Sequence, residues 1–173
     1  MKRLAILATI VLAVSACGGV ASSASAPAVS SPTAAIQATP TGPGASPTIA
    51  MSLFADQYTA IASESNAALT KCSADLTAAG NDLAKAKVAA GECLSAVSQY
   101  EADLGASQWG PVQPQVDDVV KALGTAQVLW GQMANASDAA SYTAAANQMT
   151  AADGALTAAV NVLRSALGLP PSS

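Results

Sequence analysis

Four stretches of the sequence repeat apolar or small residues at alternating spacings of three and four, and this pattern constrains the fold more than any other feature. The spacing places the repeated residues on one face of an α-helix, and that face must pack against a partner. The four stretches span residues 54–72, 83–104, 116–133 and 142–166. They predict an all-α domain built from four amphipathic helices.

Helix-breaking and helix-capping residues separate these stretches. Gly80-Asn81-Asp82 combines a glycine that can end one helix with residues that can cap the next. Residues 105–114 hold two glycines and two prolines, and Ser137 is a candidate N-cap for the fourth helix. Connections this short predict an antiparallel up-down-up-down four-helix bundle.

The bundle is predicted to occupy residues 51–169. Its last helix should end at Gly168, because Pro170 and Pro171 cannot continue it. Residues 170–173 are predicted to form a short disordered tail.

Cys72 and Cys93 lie at almost equal distances in sequence from the predicted turn at residues 80–82, and both belong to apolar stripes. Folding the first two helices back at this turn brings the cysteines opposite each other. An even pair of cysteines in an oxidising compartment is typical of a disulfide. A redox or metal-binding pair is the alternative, although the sequence has no C-x-x-C motif and no histidine. We predict a disulfide that stabilises the hairpin by about 3 kcal/mol.

The N-terminus has the three parts of a secretory signal. Lys2 and Arg3 precede an apolar run over residues 4–16, which ends in small residues before Cys17. As a helix this run would be about 20 Å long, short of the roughly 30 Å hydrocarbon core of a bilayer. We therefore predict that residues 1–16 form a signal peptide and not a stable membrane span.

Val14-Ser15-Ala16-Cys17 resembles the lipobox of bacterial lipoproteins, and the resemblance covers only the first 18 or so residues. It implies that a diacylglycerol is attached to the Cys17 thiol and that the chain is cut just before this residue. The protein would then be held on the outer, extracytoplasmic face of the cell membrane, since two acyl chains give stable anchoring. The alternatives are an ordinary signal peptide cut nearby and an uncleaved signal anchor.

Residues 17–50 are predicted to be a disordered tether that begins at the lipidated cysteine. Alanine, serine, threonine and proline dominate this segment, which cannot bury enough apolar surface to offset the entropy of ordering. In polyproline II form it could extend up to roughly 90 Å.

Charge and composition argue against several classes of function. The chain has 7 Lys and Arg against 11 Asp and Glu and no basic patch, so it lacks the phosphate-neutralising side chains that nucleic-acid binding requires. The absence of histidine removes Ser-His-Asp and Cys-His arrangements and the usual zinc sites. No phosphate-binding or dinucleotide-binding motif is present. We expect neither enzymatic activity nor a metal or cofactor.

Trp109 is the candidate interaction residue, because it lies in the Gly/Pro-rich loop and not on a helical stripe. A loop tryptophan can stack on a sugar or a protein partner; the alternative is a plug over the end of the bundle. Trp130, by contrast, belongs to the stripe of the third helix and is predicted to be core.

Two functional hypotheses follow. The first is a non-enzymatic, lipid-anchored protein whose bundle contacts an envelope protein or the cell wall, with an exposed apolar patch near Trp109. The second is a binding protein for a small apolar or lipid-like ligand held between the helices. The second hypothesis predicts a cavity of a few hundred Å³ lined by Phe54, Leu94, Trp130 and Met149.

Overall fold

The structure is a computed structural model in which residues 47–172 are described. They form four α-helices, with a short 3-10 helix at Gly110–Val112 before the third: α1 Pro47–Ala79, α2 Leu83–Gly105, α3 Gln113–Ala134 and α4 Ala139–Ala166. No strand occurs among residues 47–172, so the predicted all-α fold of four packed helices is confirmed. The predicted signal peptide, Cys17 and nearly all of the tether lie outside the described residues.

The helices pack mainly against their neighbours in the chain. The close pairs are α1 with α2, α2 with α3, and α3 with α4, whereas α1 and α4 are not closely packed against each other. One continuous core joins the four helices. Its largest fully buried side chains are Trp109, Tyr58, Leu104, Leu123, Met149 and Leu163.

Local sequence explains where the helices begin. Pro47 starts α1 four residues before the predicted domain boundary, a position that suits proline because the first helical N–H has no partner inside the helix. Asp82 caps α2 as predicted, and its carboxylate accepts a hydrogen bond from the Lys85 amide at 3.1 Å. The expected Ser137 cap of α4 is wrong: Asp138 takes that role and forms a capping box with Ser141.

Glycines end α1 and α4 as predicted. Gly80 has a φ of +55° and Gly168 a φ of +72°. Residues that have a Cβ adopt such backbone angles only at a cost in conformational energy. After α4, the Leu169 amide donates to the Arg164 carbonyl and the Gly168 amide to the Ser165 carbonyl. These two bonds form a Schellman motif, which satisfies the carbonyls at the end of the helix.

The cysteine pair fastens α1 to α2. Cys72 and Cys93 are joined as a disulfide with their Cα atoms 5.3 Å apart, which confirms the predicted pairing. On the solvent side, the adjacent residues Lys71 and Glu92 form an ion pair at 2.7 Å. The first two helices are therefore connected both by the turn and by a covalent bridge further along.

Candidate ligand cavity

A cavity of about 270 Å³ lies among the four helices. The α1 side is the longest and runs from Tyr58 to Leu76; α2 contributes Cys93, Val97 and Tyr100. The remaining walls come from α3 and α4, through Leu123, Ala126, Trp130, Asp153, Leu156 and Val160. Most of the lining is apolar.

Small side chains and the loose α1–α4 pairing explain why the interior leaves this space. Ala62 and Ala126 face the cavity and are almost fully buried, so neither fills the gap that a leucine would occupy. The disulfide belongs to the wall, because both Cys72 and Cys93 line the cavity. The bridge thus fixes one side of a space that alanine leaves open.

Two tyrosines, Tyr58 and Tyr100, line one part of the cavity. The hydroxyl oxygens of Tyr58 and Tyr100 are 3.5 Å apart, and the Tyr100 hydroxyl donates in a long hydrogen bond. Burial is the main reason that the pKa of Tyr100 is raised well above its usual value. The lining therefore contains two tyrosine hydroxyl groups in this part.

Arg164 links α1, α4 and the C-terminal segment next to these tyrosines. Its guanidinium lies 6.0 Å from the centre of the Tyr58 ring, within the range of a cation–π interaction. Its Nε donates to the Pro170 carbonyl at 2.6 Å. The side chain is 8% exposed, so these contacts are made by a largely desolvated cation.

Asp153 is the charged member of the cavity lining. It lies on the inner face of α4, three positions before Leu156 and seven before Val160, spacings that share one helical face. Burial raises the pKa of Asp153 to about 6, because desolvation penalises the carboxylate. A carboxyl group in an apolar cavity, with its pKa shifted upward, is the kind of group that functional sites contain.

Trp109 occupies an interior position. Its side chain is 0% exposed, and its indole Nε1 donates to the Leu104 carbonyl at 2.8 Å. This arrangement matches the alternative of a plug at the end of the bundle. A partner could reach the indole only if the loop opened.

Only one of the four residues expected to line a cavity does so. Trp130 lines it as predicted. Met149 is buried in the core and Leu94 packs against the core from its edge, and neither is among the lining residues. The Phe54 ring instead covers Gly110, where an added Cβ would come within 3.0 Å of the ring.

Sequence reasoning missed Asp153, Arg164 and the Tyr58–Tyr100 pair. The sequence does contain a signal for Asp153: this residue follows Met149 by four positions, which places an acidic side chain on the apolar stripe of α4. Arg164 left a weaker signal, since a cation in the last turn of a helix is ordinarily explained by the helix dipole. Its burial depends on tertiary contacts with α1 and the C-terminal segment.

Two further properties of residues 47–172 bear on the kind of site. No group of three or more His, Cys, Asp or Glu side chains there could hold a metal ion. None of the helices in that range is both long and apolar enough to cross a membrane.

A search for relatives gave no match: no protein-family model, no curated protein and no solved structure is significantly similar to this chain.

Proposed function

We propose that the protein is an extracytoplasmic lipoprotein whose helical bundle binds a small apolar ligand in the cavity among its four helices. The cavity carries this proposal, since it is bounded by all four helices and is mostly apolar. An apolar cavity of about 150 Å³ is enough to bind benzene, and this one measures about 270 Å³. Ligand binding therefore takes precedence over contact with a protein or the cell wall through Trp109, because the side chain of this residue is buried.

The proposed topology is the up-down-up-down bundle. Pairs between α1 and α2 support it, because Tyr58 meets Tyr100 while Lys71, further along α1, meets the earlier residue Glu92 of α2. Contacts of α2 with α3 and with the residues just after it follow the same trend: Glu101 accepts from Gln127 of α3, and Lys87 donates to the Ala136 carbonyl, two residues beyond the end of α3. Contacts in which the residue number decreases along one helix as it increases along the other are typical of antiparallel neighbours.

The proposed location is the outer face of the cell membrane, with lipid on Cys17. The lipobox-like residues before Cys17 support it, and a disulfide between Cys72 and Cys93 suits an oxidising compartment. In bacteria that lipidate such cysteines, Cys17→Ala should leave the precursor uncut or release the protein from the membrane. Cell fractionation measures this, and unchanged processing and membrane retention would contradict the anchor.

Ligand binding can be tested by filling the cavity. Ala126→Leu should insert three extra carbon atoms into the space, whereas Ala158→Leu makes the same change at an exposed position of α4. Native mass spectrometry of the full chain in lipid nanodiscs should detect a bound small molecule in the wild type and in Ala158→Leu, but not in Ala126→Leu. Equal ligand content in all three proteins would contradict binding in this cavity.

A further inference from the structure

Asp153 carries a charge that nothing in the described part of the chain balances. Between residues 51 and 172 the ion pairs join Lys71 to Asp75 and Glu92, and Lys85 to Asp82. Arg164 is engaged by Pro170 and Tyr58. Asp153 forms neither an ion pair nor a hydrogen bond within that range.

This isolation is unfavourable for the protein alone. A carboxylate taken partly out of water needs an opposite charge or hydrogen-bond donors to replace its hydration. With a pKa of about 6, the carboxyl group is mostly ionised at neutral pH and still lacks such a partner. A bound cation would supply what the bundle itself does not.

We propose that the cavity selects ligands that join a small apolar body to a positively charged amine, with the amine at the Asp153 carboxylate. The inference rests on the proposed function and adds the chemical class of the ligand. An ammonium group brings three donors and a full charge, and hydrogen bonds between ionised groups are stronger than neutral ones. The apolar body would pack against Leu69, Leu76, Val97, Leu123, Trp130 and Leu156, which line the same cavity.

The cavity also limits the size of the ligand and the sign of its charge. A volume of about 270 Å³ is less than twice the roughly 150 Å³ of a cavity that holds benzene, so one ring with a short chain is a suitable body. An acidic ligand would place a second negative charge beside Asp153 and would be repelled. The proposal therefore predicts an order of affinity among ligands of one shape.

Three probes of matched shape test this order: phenylpropylamine, phenylpropanol and phenylpropanoate, which carry a positive, a neutral and a negative head. Each is titrated into the full chain in lipid nanodiscs, and the change in tryptophan fluorescence, to which Trp130 in the cavity wall contributes, reports binding. The amine should bind about tenfold more tightly than the alcohol, as expected for one charge-assisted hydrogen bond at a partly exposed site. The carboxylate should bind most weakly.

Asp153→Asn separates charge from shape. In this variant the affinity for the amine should fall to that for the alcohol, while the alcohol keeps its wild-type affinity. Asp118→Asn removes an exposed carboxylate of α3 and should leave the tenfold preference unchanged. A preference that survives in Asp153→Asn, or disappears in Asp118→Asn, would overturn the assignment of the amine to Asp153.

The cavity-filling variant distinguishes this proposal from the one on which it rests. If the three probes bind the wild type equally and Ala126→Leu abolishes their binding, the cavity binds ligands but the charge selection is wrong. If no probe binds the wild type, or if Ala126→Leu binds them all as the wild type does, both the amine preference and the proposed function are overturned.

Discussion

At the scale of single residues, the interior polar groups of this protein differ in how well they are satisfied. Trp109 donates the only polar hydrogen of its side chain, the indole N–H, to a backbone carbonyl, and Arg164 donates to another. Asp153 has no such partner among residues 47–172, and burial raises its pKa to about 6. The first two groups therefore stabilise the fold, whereas the carboxylate of Asp153 lowers its stability.

Asp153→Asn should stabilise the ligand-free protein at neutral pH. Because the pKa of Asp153 is raised from 3.8 to about 6 on folding, the native state binds more protons than the unfolded state between these values, and stability falls as pH rises through them. After allowance for solvent screening, the gain at pH 7 should be about 1 kcal/mol. Urea unfolding at pH 7 and at pH 3.5 measures it, and the difference from wild type should vanish at the lower pH.

Trp109→Phe and Trp109→Ala should separate the hydrogen bond of the indole from its packing. Phenylalanine keeps most of the ring volume but removes the indole donor, so the Leu104 carbonyl keeps only the longer 3.4 Å bond from the Ser107 amide. The expected loss of stability is about 1–2 kcal/mol. Alanine also opens a large void and should cost about 3–5 kcal/mol. Equilibrium denaturation checks both values. Two variants with wild-type stability would show that the indole does not plug the bundle.

At the scale of helices and turns, much of the structure could be predicted from the sequence. The stripes located the four helices, and Gly80 and Gly168 located two of their ends, because apolar periodicity and left-handed glycines act locally. The start of α4 was misplaced by one residue, since Ser137 and Asp138 are both good capping residues. The capping-box partner Ser141 favours Asp138.

The two candidate caps of α4 give a direct test. Asp138→Ala removes the carboxylate that accepts from the Ser141 amide at 2.8 Å, and the melting temperature should fall by a few degrees. Ser137→Ala is the matched control and should change it much less, because the Ser137 hydroxyl only contacts the Asp138 side chain. A larger effect for Ser137→Ala would mean that the helix begins one residue earlier.

At the scale of the whole molecule, the sequence predicted four packed helices but not the placement of the cavity. Alanine-rich stripes do not reveal which pair of helices remains apart, because that depends on how the side chains of all four fit together. Phe54 illustrates the difficulty: it belongs to the stripe of α1, yet its ring covers Gly110 in the loop before α3. The anchor and nearly all of the tether stay predictions, since they lie outside residues 47–172.

Arg164 should hold α1, α4 and the C-terminal segment together at one end of the bundle. Arg164→Ala removes both the cation–π contact with Tyr58 and the hydrogen bond to Pro170, and the expected loss of stability is about 2–4 kcal/mol. Hydrogen exchange should rise most at residues 167–172. Lysine at this position should restore part of the stability through its charge. An equal rise in hydrogen exchange across the whole bundle would contradict a local role for Arg164.

Both halves of the Cys72–Cys93 bridge line the cavity, so the redox state of the two thiols bears on the shape of the cavity wall. A newly made chain with two free thiols has no covalent link to keep that wall in place. The oxidation that joins α1 to α2 therefore also fixes the cysteine side of the cavity. If the cavity binds a ligand as proposed, the reduced protein should bind it more weakly than the oxidised protein.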